Sequence, residues 1–353
     1  MTKLTKEHIL QEISRKGRVK SSELAALFGV SRQYVSRVLS LLVKERRIIK
    51  VGSTRSAFYT TEEYLKKHKG LEHVSYTKTF VNKGLEEHVV FEMVRRNLHA
   101  IDTLPENIRS IVEYAFSEML NNAIEHSQSA KIKVFVSVNA TELTFTIDDF
   151  GIGVFRNIMR KRGLKSEIEA IQDLLKGKMT TAPKLHSGEG IFFTSKAGDE
   201  FLLDSYGHQF IANNVIKDLF VKKVKGQRQG TRVTFRINTH ATYHLNDIFQ
   251  RYTNIGEDSD YGFDKTEVHV WLYALGGVHI SRSQARRVLS GLETFKVVVM
   301  DYDRIPTVGQ AFADEVYRVF AHKRPDIEIQ DIHMNEAVAF MVRRARKEAE
   351  KKK

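Results

Sequence analysis

Apolar residues recur at helical spacing through Leu4, Ile9, Leu10 and Ile13 and stop at Lys16-Gly17, which predicts a first helix. Ser21 and Ser22, followed by Glu23 and Leu24, read as the capped start of a short helix to Leu27, broken at Phe28-Gly29-Val30. Ser31 then caps a helix over Arg32 to Lys44, with Val35, Val38, Leu39, Leu42 and Val43 as its inner stripe. Ile48 to Val51, a Gly52-Ser53-Thr54-Arg55 turn and Ala57 to Tyr59 form a β-hairpin pattern.

A linker helix over Glu62 to His68 and a strand-like patch over Tyr76 to Val81 follow. Helical periodicity returns from Leu85 to Ile101, and Pro105 opens another helix that runs to His126. Lys131 to Val138 and Leu143 to Ile147 alternate as two strands across the turn Asn139 to Glu142. A helical stretch is expected over Val154 to Lys178, a helix opening at the glycines 188 and 190, and a strand from Gly230 to Phe235. The polar run Asn254 to Asp264 marks a boundary. Beyond it, strands are predicted at Glu267 to Tyr273, Phe295 to Met300 and Ile327 to Ile332. They alternate with helices at Ser281 to Leu292, Thr307 to Phe320 and Asn335 to Lys347, the pattern of a small crossover α/β unit.

A chain of 353 residues that is 42% hydrophobic and 28% charged can bury more than one core. No apolar run reaches the roughly 18 residues of a membrane span, and the start MTKLTKEHIL lacks a signal-peptide core, so a cytoplasmic protein is expected. The absence of cysteine excludes disulfides, iron–sulfur clusters and Cys-ligated zinc. The 14 histidines include no HExxH motif, and the one HxxxH spacing, His240 to His244, stands in a polar stretch rather than on a predicted helix, which argues against a zinc site of that kind. The net charge of +13 is uneven: residues 1–60 carry +9, the last eleven residues +5, and the remainder is close to neutral. A polyanion would meet such a chain at its ends.

Glu118, Asn122 and His126, four residues apart, line one edge of the helix beside the apolar face of Val112, Phe116, Met119 and Ala123. A glutamate there can orient or deprotonate a water, and the asparagine oxygen is a hard ligand for Mg2+. The strand ending in Asp149-x-Gly151-x-Gly153 puts a carboxylate where it can accept the amino hydrogens of adenine, with glycines that let backbone pass close by. Gly188-x-Gly190 offers bare amides and the positive end of a helix to phosphate, and the hydroxyl of Thr231 can complete an adenine pocket. In this order, with Gly230-Thr231 last, the four elements resemble the GHKL ATPase superfamily over residues 85–240. That resemblance implies an α/β sandwich of Bergerat type that binds ATP and Mg2+. It puts Asn122 on the metal, Asp149 on adenine, an ATP lid before Gly188 and Glu118 at the general base's position. The string Ser-Glu-Met-Leu-Asn-Asn-Ala-Ile-Glu-His is closest to the anti-sigma serine kinases. No phosphoacceptor His-box helix and no receiver domain accompany it.

Residues 1–60 resemble the winged helix–turn–helix family, in which the helix after the turn enters the major groove of double-stranded DNA. The resemblance puts Ser31, Arg32, Gln33, Tyr34 and Arg37 on the start of the recognition helix, with Arg32 and Gln33 suited to base edges. Arg37, Arg46, Arg47 and Arg55 suit phosphates. Residues 61–84 and 241–264 read as linkers. Residues 265–353, with Asp301-Tyr302-Asp303 and the run from Ile305 to Glu315, resemble STAS-like domains, whose modified serine aligns with Val308. Thr307 beside it is a candidate phosphoacceptor or a helix N-cap, and the domain a surface for dimerisation or a partner protein. The expected whole is a multidomain α/β protein. Three functions fit it: an ATP-responsive DNA-binding regulator, an anti-sigma-type serine/threonine kinase, or a nucleotide-binding scaffold.

Overall fold

The computed structural model describes residues 5–45, 47–51, 58–67, 74–178, 189–226, 228–253, 263–274 and 281–351. Two units emerge, one of Met1–Gly153 with Gly198–Thr242 and one of Val154–Ala197 with Tyr243–Lys353.

The first unit begins with α1 (Lys6–Lys16), β1 (Arg18–Val19), α2 (Ser21–Phe28), α3 (Arg32–Lys44), β2 (Ile49–Val51) and β3 (Phe58–Thr60). The Thr5 hydroxyl accepts from the His8 amide to start α1, and the Ser31 hydroxyl accepts from the Tyr34 amide at 3.2 Å to start α3. Gly29, in the left-handed region at φ 61°, closes α2. β3 lies between β1 and β2, antiparallel to both. The helices and the small sheet enclose a core of their own, in which Ile9, Ile13, Val35, Leu39 and Leu42 are fully buried. The turn expected at 52–55 lies outside the described residues.

After α4 (Glu62–Lys67), the same unit forms an antiparallel sheet. Its strands are β4 (Val74–Val81), β5 (Lys131–Val138), β6 (Glu142–Asp149), β7 (Glu200–Ser205), β8 (His208–Asn213), β9 (Asp218–Lys223) and β10 (Thr231–Asn238). They lie in the order β4-β5-β6-β10-β7-β8-β9. The helices α5 (Glu87–Asn97) and α6 (Glu106–His126) cover one face. Alternation follows: Val134, Val136, Phe145, Ile147, Phe235 and Ile237 are buried, and their strand neighbours point the other way. A line of rings joins the layers, from Phe91 to Phe116 (5.2 Å), Phe116 to Phe145 (5.5 Å) and Phe145 to Phe235 (5.0 Å). Strands β7 to β9 have no counterpart among the sequence expectations. Tyr206 and Gly207, at φ 47° and 81°, make the two-residue turn that joins β7 to β8.

The second unit opens with two helices where one helical stretch was expected, α7 (Val154–Arg162) and α8 (Glu167–Leu175). Gly163 at φ 64° ends the first, and the Ser166 hydroxyl caps the second by accepting from the Glu169 amide. α9 (Gly190–Ala197) and α10 (Leu245–Tyr252) follow, the latter within a span read as linker. Phe192 and Phe193 of α9, Phe249 and Tyr252 of α10, and Phe263 form one aromatic cluster.

The parallel strands β11 (Lys265–His269), β12 (Val297–Asp301) and β13 (Glu328–Ile332) complete the unit in that order. Their helices are α11 (Arg282–Leu289), α12 (Gln310–Asp314), α13 (Ala321–Lys323) and α14 (Glu336–Glu350), with a π-helical segment, Glu315–Phe320, between α12 and α13. Two expectations need correction. The first strand ends at His269, and Val270–Ala274 is a 3-10 turn. The helix expected from Thr307 begins at Gln310, with Gly309 as N-cap, so Thr307 is not a cap. Ile305 and Val308 are both buried and hold the intervening backbone outside any helix, which leaves Thr307 exposed.

Lys176, 2% exposed, donates from Nζ to Asp173 Oδ1 (3.2 Å) and to the carbonyls of Arg287 (2.9 Å) and Ser290 (2.6 Å). Burial pushes its ammonium pKa down, and Asp173 works against that shift. Lys176→Ala leaves Asp173 Oδ1 and two carbonyls without this donor, while Asp173 Oδ2 keeps Arg162 at 3.3 Å. Chemical denaturation followed by circular dichroism should show a loss of about 3 kcal/mol.

Candidate functional site

The end of β6 delivers two adjacent carboxylates to opposite faces of the sheet. Asp148 accepts from Arg228 Nε (3.1 Å) and Nη2 and from Arg232 Nη2 (2.7 Å), a paired charge that anchors the start of β10. Asp149 faces the helical side and is 4% exposed. Its Oδ1 accepts from the amides of Gly151 (2.9 Å) and Thr231 (3.1 Å). Burial pushes the Asp149 carboxyl pKa up, while these two amides and the Thr231 hydroxyl pull it back and neighbouring Asp148 adds to the rise. The amides occupy two of the roughly four acceptor positions of a carboxylate.

Two glycines permit this arrangement. A Cβ on Gly151 would stand 1.8 Å from the Ser127 carbonyl oxygen, and one on Gly230, at φ 81°, would stand 2.2 Å from the Asp149 carbonyl oxygen. The Ser127 carbonyl instead accepts from the Ile152 amide at 2.8 Å, which fastens the loop to the end of α6. From the β7–β8 hairpin the Tyr206 hydroxyl donates to the Gly151 carbonyl (2.9 Å), and the Ser205 hydroxyl donates to the Gly230 carbonyl (2.9 Å). Gly153 is buried against the same Ser205 and Tyr206 side chains. Sequence reasoning missed Ser127, Ser205 and Tyr206. The one signal for the latter pair was the Tyr-Gly dipeptide between two alternating runs.

Glu118, Asn122 and His126 are each half-buried on α6, beside the buried Ala115, Met119 and Ala123. α6 and β6 run toward the same end, since Phe116 meets Phe145 and Ser127 meets Ile152. At 1.5 Å per residue, Asn122 stands about 7–8 Å along the axis before that junction. The glutamate and asparagine oxygens are the hard donors that Mg2+ takes, and a buried acceptor such as Asp149 suits an exocyclic amine. Asp149, Gly151, Gly153 and Thr231 are thus joined by direct bonds or packing, and the three α6 residues share one edge. Gly190 is the first residue of α9 in the other unit. Gly188 and the lid segment before it lie outside the described residues.

On α3, Ser31, Arg32, Gln33, Tyr34 and Arg37 are all exposed. Arg46 and Arg55 lie outside the described residues.

Residues 86–212 match the family model of the histidine kinase-like ATPase domain. The matched span holds Glu118, Asn122, His126, Asp149 and the glycines 151, 153, 188 and 190. It supports ATP binding by this domain, and the large antiparallel sheet with its helices is consistent with the match. Thr231 lies beyond the span, so the Asp149–Thr231 bond closes the ATPase-like domain onto a strand that the match does not reach. No curated protein matches the chain. No helix among the described residues is long and apolar enough to cross a membrane.

The raised pKa of Asp149 has a definite sign for stability. Its ionised form costs the fold free energy at neutral pH, and the cost disappears as pH falls below the unfolded value near 4. Asp149→Asn keeps an oxygen for both amides and carries no charge. Its melting temperature at pH 7 should equal or exceed that of the parent, with the difference shrinking toward pH 4. Gly151→Ala has no such freedom and should lower the melting temperature by several degrees, as the clash is with backbone.

Proposed function

We propose that the protein is an ATP- and Mg2+-binding regulator that binds double-stranded DNA through its amino-terminal helices, with nucleotide state controlling the grip on DNA. The observation that carries the nucleotide half is the buried, pre-organised Asp149 oxygen, set within a span that matches an ATPase domain. In this reading the carboxylate of Asp149 accepts hydrogens from the adenine amino group. Asn122 offers its side-chain oxygen to the cation, and His126 one turn on lines the phosphate side. Glu118 orients a water and accepts its proton at a carboxylate oxygen. Bound Mg2+ would supply charge neutralisation along the phosphates. Gly188-x-Gly190 is the candidate phosphate cradle, and the segment before Gly188 the candidate ATP lid.

The exposed row Ser31, Arg32, Gln33, Tyr34 and Arg37, in a segment of net charge +9, supports the DNA half. Arg55 adds a phosphate contact. ATP can control the grip only if it binds the two DNA-affinity states unequally. A kinase reading draws support from Thr307, exposed and free of any capping duty, in a domain that would then serve as regulatory or dimerisation surface.

Isothermal titration on Asn122→Ala should show Mg2+-dependent ATP binding abolished. Glu118→Ala should bind and fail to release phosphate. Normal ATP binding by the Asn122 variant overturns the site assignment. Label transfer from γ-labelled ATP onto Thr307, lost in Thr307→Val, would replace the regulator by the kinase.

Substituting Arg32 and Arg37 by alanine should weaken duplex binding and flatten its salt dependence, by about one unit of log–log slope for each phosphate no longer neutralised. A gel shift insensitive to added salt removes the DNA claim.

A further inference from the structure

The three parallel strands of the second unit end in register at a cluster that nucleotide binding does not use. His269 is the last residue of β11 and pairs with Asp301, the last of β12, and His333 follows β13 directly. Asp301, whose side chain is 6% exposed, divides its oxygens between two imidazoles. Oδ2 accepts from His269 Nδ1 at 2.8 Å, and Oδ1 accepts from His333 Nδ1 at 2.8 Å and from the Asp303 amide at 3.0 Å. A carboxylate that only accepts places a hydrogen on each Nδ1, so a neutral His269 keeps its lone pair on Nε2.

That Nε2 is buried and has no hydrogen-bond partner among the described residues. The group facing it is the carboxylate of Glu267, two residues earlier on the same face of β11, with Oε1 at 3.8 Å. This is too long for a hydrogen bond from a protonated ring. It is close to the separation of two ligands on one ion: atoms about 2.1 Å from zinc stand about 3.4 Å apart at a tetrahedral angle. Glu267, His269 and Asp301 offer one ligand-type atom each within 4.8 Å of one another. Two carboxylates and a ring nitrogen in so small a space also create a field that favours a dication. The carboxyl ends of parallel strands are, besides, where open α/β sheets bind ligands.

We propose that this strand-end cluster is a site for a divalent transition-metal cation of the zinc class. His269 Nε2 and the Glu267 carboxylate ligate the ion, and water completes its shell. Asp301 fixes the ring of His269 through Nδ1, the carboxylate–histidine–metal arrangement of a supporting residue. An imidazole donor selects Zn2+ over Mg2+. The site is separate from the Mg2+ that accompanies ATP, because its residues lie on β11 and β12. The HExxH criterion misses it because it describes two histidines on one helix, whereas these ligands are a glutamate and a histidine two residues apart on one strand, oriented by an aspartate from the neighbouring strand.

The test is a zinc titration of the nucleotide-free full chain by calorimetry, repeated with Co2+ by visible absorption. One saturable Zn2+ site is expected, with ligand-field bands for Co2+ and no competition from millimolar Mg2+. Glu267→Gln and His269→Ala should each weaken binding tenfold or more. Asp301→Asn should weaken it about tenfold without removing a ligand, and Glu118→Ala should leave it unchanged. Glu267 has a partly exposed side chain, so its variant retains the fold if the histidine variant does not. Zinc binding that is equal in the parent and Glu267→Gln, or no saturable binding in the parent, overturns the proposal.

Discussion

One carboxylate oxygen holds the ATPase-like domain's central strands in their working relation. Asp149 Oδ1 bridges the amide of Gly151, in the loop that leaves β6, and the amide of Thr231, at the start of β10. Those backbone groups belong to segments eighty residues apart, and both would otherwise need partners at the edge of a buried face. The carboxylate satisfies them and is itself kept in a site that burial makes hostile to its charge. The price is a pair of positions where no side chain fits, Gly151 under the Ser127 carbonyl and Gly230 over the backbone of Asp149 itself.

The same handling of buried charge recurs elsewhere. Asp148, on the opposite face, is neutralised by Arg228 and Arg232, so both faces of the β6–β10 pairing are tied by carboxylates with different partners. In the second unit Lys176 reverses the sign, with one ammonium meeting three acceptors. Asp301 meets two imidazoles and an amide. Each is a buried ionisable group that meets several partners at once, which offsets the cost of its burial. Where one atom is left over, as at His269 Nε2, a ligand becomes the natural completion.

The chain by itself determined much of this protein. Helical periodicity and caps located α1, α3, α6 and α14 nearly to the residue, because Gly17, Ser31, Pro105 and Asn335 act within one turn of their own position. Alternation located β5 and β6 because one face of an antiparallel sheet is buried and the other is not. The ordered series Glu118, Asn122, Asp149, Gly151 and Gly153 was legible for the same local reason, since each member sits at the end or on the edge of such an element. Only tertiary structure decided what the elements do to one another. Thr307 looks like a cap until the burial of Ile305 and Val308 delays the helix to Gln310. Tyr206 and Ser205 acquire a role only when the hairpin that carries them lies beside the Asp149 loop. The histidine–aspartate–histidine cluster exists only where three strands end together. Spacing along a chain reports neighbours within a turn or a strand, whereas contacts between β6 and β10, or among β11, β12 and β13, are set by how buried faces pair across long intervals of sequence.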